Sequence, residues 1–98
     1  MEQTKMKGKQ RAALRAMAQA LEPVVYIGKE GITDNLVSQV EGALVARELI
    51  KCSVQQNSGM NASEACDMLC SLTHAQGVSV LGRKFVLYRE AEERKIYF

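Results

Sequence analysis

Val24-Val25-Tyr26-Ile27-Gly28-Lys29-Glu30-Gly31 joins a β-like apolar run to a turn bounded by two glycines, and a helical pattern begins close behind it near Asp34. This strand–turn–helix succession sets the fold. Glycines separated by two residues allow a sharp turn with positive φ, and they leave no Cβ to hold off the backbone of a partner. The helix that follows aims free N–H groups and the positive end of its dipole at the same place, and Lys29 adds a cation. The chemistry suits a phosphate, although Glu30 and Asp34 compete with one. A GxxG pattern by itself is often no more than a turn, so the flanking chain has to decide.

Upstream, from about Lys7 to Leu21, apolar residues recur at Leu14, Met17 and Leu21 with Ala13 and Ala18 beside them, which predicts an amphipathic helix. Lys7, Arg11 and Arg15 stand four apart and form a stripe along one edge of its apolar face. Such a stripe is either a solvated flank whose stems cover the core or a track for phosphates leading to the glycine turn. Pro23 cannot continue the helix and turns the chain into a strand from Val24.

Downstream, Leu36, Val37, Val40, Ala43, Leu44 and Arg47 trace a second helix with Thr33 or Asp34 as N-cap. Ile50, Cys52 and Val54 alternate with Lys51 and Ser53, the pattern of a half-buried strand. Residues 55–60 read as a loop. Asn61 and Glu64 make a variant capping box that opens a third helix along Ala62, Ala65, Cys66, Leu69, Cys70 and Leu72, with Gly77 expected as its C′ residue. Two further strands, Val78 to Leu81 and Phe85 to Tyr88, are joined through Gly82-Arg83-Lys84, a hairpin with two cations at its tip. Glu90 to Phe98 mixes both charges and reads as a tail.

The order α-β-α-β-α-β-β predicts an α/β fold of the two-layer α+β kind, with a mixed four-stranded sheet. One domain spans residues 1–98, with its core at about 7–89. If the helices form a single layer, the other sheet face stays open to water or to a partner.

A chain of 98 residues with 47% hydrophobic and 24% charged residues has room for one core. The net charge of +2 is small but unevenly placed: Lys5, Lys7, Lys9, Arg11 and Arg15 face only Glu2 in residues 1–21. Local positive charge of this kind suits an anionic partner. No apolar run is long enough to cross a membrane, and no apolar segment follows the N-terminal lysines, so a cytoplasmic, monomeric protein is expected. Cys52, Cys66 and Cys70 are an odd number in apolar patterns, which fits a reducing compartment.

No general acid–base pair, Walker loop, nucleophile elbow or dinucleotide fingerprint occurs, so neither an enzyme nor a cofactor is expected. Cys66, Cys70 and His74 repeat at four-residue spacing like metal ligands. Residues eight apart on a helix lie about 12 Å apart along its axis, too far to share one ion at bonds of about 2.1–2.3 Å. They read as two small core residues and a helix-end histidine, and no metal is expected. Tyr26 and Tyr88 read as core residues with hydroxyls at the sheet edge, an exposed ring being the condition for stacking on a base.

The run from Pro23 to Thr33, then Arg47-Glu48-Leu49-Ile50-Lys51, then Leu81-Gly82-Arg83-Lys84-Phe85-Val86-Leu87-Tyr88-Arg89 resembles the CRM domain, the chloroplast RNA splicing and ribosome maturation module. The likeness extends from about Lys9 to Arg89 and is greatest to stand-alone proteins of the bacterial YhbY family. It implies an RNA-binding fold similar to the C-terminal domain of translation initiation factor 3, and association with ribosomal RNA in precursors of the large ribosomal subunit. The family's GxxG loop, comparable to the backbone-clamping loop of KH domains, carries over onto Gly28, Lys29, Glu30 and Gly31.

The expected function is therefore RNA binding in ribosome assembly, without a chemical step. Gly28, Lys29, Glu30 and Gly31 would hold phosphate, Lys7, Arg11 and Arg15 would extend the track, and Lys51, Arg83 and Lys84 would flank it. The alternative is a module that docks on a ribosomal or assembly protein through the open sheet face.

Overall fold

The computed structural model describes residues 8–92. Its elements are α1 (Gly8–Ala18), β1 (Pro23–Ile27), α2 (Asp34–Arg47), β2 (Leu49–Val54), a 3₁₀ turn (Gln56–Ser58), α3 (Ala62–Thr73), β3 (Gln76–Leu81) and β4 (Lys84–Tyr88). The strands form one mixed sheet in the order β1-β2-β4-β3. β1 and β2 are parallel because α2 carries the chain back between them, and β2–β4 and β3–β4 are antiparallel.

Side-chain caps fix where the helices begin. Thr33 is the N-cap of α2, its Oγ1 accepting from the Leu36 N–H at 3.1 Å. Asn61 Oδ1 accepts from Glu64 N–H at 2.8 Å while Glu64 Oε1 accepts from Asn61 N–H at 3.0 Å, which completes the expected capping box of α3. The end of α3 differs from expectation. His74, at φ +61°, takes the left-handed cap position, and Gly77 lies inside β3. Gly77 is small for another reason: a Cβ there would stand 3.0 Å from Cys66 Sγ and 3.7 Å from Cys70 Sγ.

Alternation along the strands divides the interior in two. On one face Val25, Ile27, Ile50, Cys52, Val54, Phe85 and Leu87 pack against Leu36, Val40 and Leu44 of α2 and Ala65, Cys66 and Leu69 of α3. On the other, Leu49, Val78, Val86 and Tyr88 pack against Leu14 and Ala18 of α1. The condition for a fully open sheet face is not met: α1 leaves the other helices and covers part of the opposite face. Its buried residues are Leu14 and Ala18, with Leu21 partly buried beside them, whereas Met17 is 43% exposed.

Beyond β4 the chain stays attached. The Arg89 N–H donates to the Glu48 carbonyl at 3.0 Å, and the Ala91 N–H donates to Glu48 Oε2 at 2.9 Å. Arg89 Nη1 also donates to Glu41 Oε1 at 2.7 Å and to the Thr73 carbonyl at 2.8 Å. Ordered packing thus runs to Ala91, which is buried, past the expected core boundary at Arg89.

Candidate nucleic-acid interface

The glycine turn closes through the Gly31 N–H, which donates to the Gly28 carbonyl at 3.0 Å. Lys29 and Glu30 stand exposed at its tip. Only one of the two glycines uses its conformational freedom: Gly31 sits at φ +71°, while Gly28 has no positive φ. Gly28 lies close to a neighbour instead, since a Cβ on it would come within 3.0 Å of Gln55 Oε1.

Two hydrogen bonds bring this turn to the same end of the sheet as the β3–β4 hairpin. Gln55 N–H donates to the Ile27 carbonyl at 2.8 Å, and Val54 N–H donates to the Arg83 carbonyl at 2.8 Å. The exit of β2 is therefore clasped between the glycine turn on one side and the hairpin tip on the other. Lys29 and Arg83 project from these two tips, and both are exposed. Gly82, at φ +61°, opens the two-residue turn that aims Arg83 outward.

The remaining basic residues sort into different places. Arg15, Lys51 and Lys84 line one open groove of about 490 Å³ between α1 and the hairpin, over a floor that includes Ala18, Val78 and Val86. Arg11 lies elsewhere, with Nη1 donating to the Gly77 carbonyl at 2.8 Å, so it anchors α1 to the start of β3. Lys7 falls outside the described residues. Among the described residues Arg89 and Glu41 form an ion pair, and none of Arg15, Lys29, Lys51, Arg83 and Lys84 takes part in one. Arg15, Lys29, Arg83 and Lys84 are exposed, and Lys51 is half-buried.

Tyr26 and Tyr88 separate. Tyr88 is buried in the α1 cluster, and Tyr26 is 54% exposed. Val25 and Ile27 point into the α2–α3 core, so Tyr26 between them points to the groove side of the sheet. Register places Tyr26 beside Ser53, Ser53 beside Lys84, and Lys84 beside Leu81. The reading of Tyr26 as a core residue is corrected here: it lies in the unbroken apolar run Val24-Val25-Tyr26-Ile27, and only the strand's pleat sets its ring on the face away from α2 and α3. The grouping of Arg15 with Lys51 and Lys84, from three separate elements, had no local signal.

The cysteines lie away from this surface. Cys52 is buried, and burial pushes its thiol up to about 12. A hydrogen bond between the Cys66 and Cys70 thiols holds Cys66 below and Cys70 above the usual thiol range. Among the described residues no three His, Cys, Asp or Glu side chains come together as a metal site, and no helix is long and apolar enough to cross a membrane.

The family model described as the CRS1 / YhbY (CRM) domain matches residues 6–89. The chain belongs to this family. It is 41% identical over 88 residues to the Bacillus subtilis protein named "Probable RNA-binding protein YqeI", covering 90% of this chain and 92% of that one. It is 34% identical over 93 residues to a Haemophilus influenzae protein named "RNA-binding protein", covering 95% and 94%. The solution structure of the hypothetical protein SAV1595 from Staphylococcus aureus has a TM-score of 0.79 at 38% identity and covers 93% of this chain and 95% of its own.

Proposed function

We propose that this CRM-family chain binds RNA, specifically ribosomal RNA in large-subunit precursors in the cytoplasm, and assists ribosome assembly without a chemical step. The observation that carries the proposal is the grouping of Arg15, Lys51 and Lys84 around one groove with no carboxylate paired to them among the described residues. Cations held apart from counter-charges on a folded surface favour a polyanion, and each phosphate contacted releases counterions from it. The family membership and the names of the relatives support RNA as that polyanion. Lys29 and the backbone of Gly28–Gly31 would grip phosphate at the sheet end, with Arg83 and Lys84 close by. Crosslinking the protein to RNA in cells and sequencing the attached fragments tests the proposal: enrichment of large-subunit precursor sequence is expected, and enrichment of unrelated RNA would overturn the ribosomal assignment.

One observation favours docking on a protein. Leu81 is 83% exposed and Val80 is 45% exposed at the hairpin. Apolar contact there predicts binding that survives high salt and fails on Leu81→Ser, whereas RNA binding predicts the reverse.

A further inference from the structure

We propose that the groove side of the sheet is a platform for single-stranded RNA, on which Tyr26 stacks against an unpaired base while Lys84, Lys51 and Arg15 hold the neighbouring phosphates. This rests on the RNA-binding reading above and names the class of RNA. Tyr26 is the starting point. Its neighbours Val25 and Ile27 are 1% and 0% exposed, yet its own ring stands in water on the opposite face of the strand. An aromatic ring held by β1 with few rotatable bonds binds a flat apolar partner at low entropic cost.

The surroundings match a nucleotide chain. Ser53 lies next to Tyr26 in the sheet and Lys84 next to Ser53, so the ring and the first cation are two strand spacings apart, about 10 Å. The intervening serine is small and leaves the surface between them open to a ribose. Beyond Lys84 the groove combines basic walls, Arg15 and Lys51, with an apolar floor that includes Ala18, Val78 and Val86. Phosphate alone needs no apolar floor, and an acidic peptide needs no aromatic ring; a strand carrying both phosphates and exposed base faces uses both. In a duplex the base faces are covered by their neighbours, so the platform selects unpaired RNA.

The test uses the full chain and two probes, an oligoadenylate single strand of about 10 nucleotides and a blunt RNA duplex of equal length. Tyr26→Leu should weaken single-strand binding by about 5- to 150-fold, the range expected for losing one base–aromatic stack, and leave duplex binding within about two-fold. Tyr26→Phe should bind like the parent. Neither change should alter the salt slope, while Lys84→Gln should flatten the single-strand slope by about 0.7. Because the ring is exposed, both tyrosine variants should melt with the parent. If Tyr26→Leu binds the single strand as tightly as the parent, or loses strand and duplex equally, the platform is overturned and the RNA-binding reading stands. If the parent binds only the duplex, the platform falls in the same way. If the parent binds neither probe and recovers no RNA in cells, both fall together. A polyglutamate peptide that binds the parent in place of either RNA would assign the face to an acidic protein and overturn the platform.

Discussion

Arg11 donates from Nη1 to the carbonyl oxygen of Gly77 across 2.8 Å, joining the first helix to the start of β3. A residue that spacing marks as a phosphate contact thus has a structural task. A hydrogen bond from a charged donor contributes about 1.5–3 kcal/mol when well shielded, and the partial exposure of Arg11 reduces that. Arg11→Gln should lower unfolding stability in urea by about 1 kcal/mol, with Arg11→Lys recovering only part because an ammonium lacks the planar fork. An unchanged urea midpoint would remove Arg11 from the account of how α1 is held.

The two glycines of the turn should respond differently. Gly31 is at φ +71° with open space around it, so Gly31→Ala pays the backbone cost of a left-handed residue, about 1–2 kcal/mol. Gly28→Ala meets only Gln55 Oε1, the movable end of a side chain, and should cost less than about 0.5 kcal/mol. Because Gly28→Ala stays folded, it is the better probe of function: its RNA affinity should fall if a phosphate backbone approaches the turn. Equal affinity would leave Gly28–Gly31 as a turn alone.

Salt titration separates the basic residues. Lys29→Gln, Arg15→Gln, Lys51→Gln and Lys84→Gln should each reduce affinity and flatten the single-strand log–log salt slope by about 0.7. Arg47, exposed on the last turn of α2 and so on the helix packed against the opposite face, is the control and should change little. Equal losses at all five positions would point to diffuse attraction without a defined surface.

Glu48 should be expensive to remove. It is fully buried at φ +64°, and its carboxylate accepts from the Ala91 N–H. Glu48→Ala leaves that donor without its acceptor and opens a cavity, a combined loss of about 2–4 kcal/mol. Chemical denaturation measures it, and a loss below about 1 kcal/mol would contradict the packing described.

Burial raises the Cys52 thiol from 9.0 to about 12 in the folded protein. Above pH 9 the unfolded chain releases this proton while the folded chain keeps it, so the unfolded state binds fewer protons and stability falls as pH rises. The decline should run from about pH 9 to pH 12 at no more than about 1.4 kcal/mol per pH unit, with no contribution from Cys52 at neutral pH. The measurement is the difference in urea midpoint between the parent and Cys52→Ala, which isolates the contribution of this one thiol. Parallel pH profiles would refute the assignment to Cys52.

Local pattern revealed most of the fold. The alternation of Ile50, Cys52 and Val54, the Asn61–Glu64 box and the Pro23 break each act over a few residues, and each element formed where those signals stood. What lay hidden was non-local. The spacing of Leu14 says that α1 has a buried face but not which sheet face receives it, and choosing Met17 over Ala18 depended on that partner. Gly77 read as a helix terminator because glycine does end helices, whereas its actual constraint is the sulfur of Cys66 from another element. The basic stripe on α1 likewise divided once folded: Arg11 turned to the Gly77 carbonyl, and Arg15 joined Lys51 and Lys84 in a groove that only the sheet register assembles.

The strand order also bears on how the molecule comes together in time. β3 and β4 are joined by a two-residue turn and close a short loop, while β1 reaches β2, its one sheet partner among the described residues, only across the whole of α2. Closing the longer loop costs more chain entropy, so the hairpin can zip before β1 docks. The glycine turn sits at the end of that edge strand, and the hydrogen bond from the Gln55 N–H to the Ile27 carbonyl forms only when β1 is in place. The sheet end that carries Lys29 therefore takes shape only after the loop through α2 has closed, later than the β3–β4 hairpin.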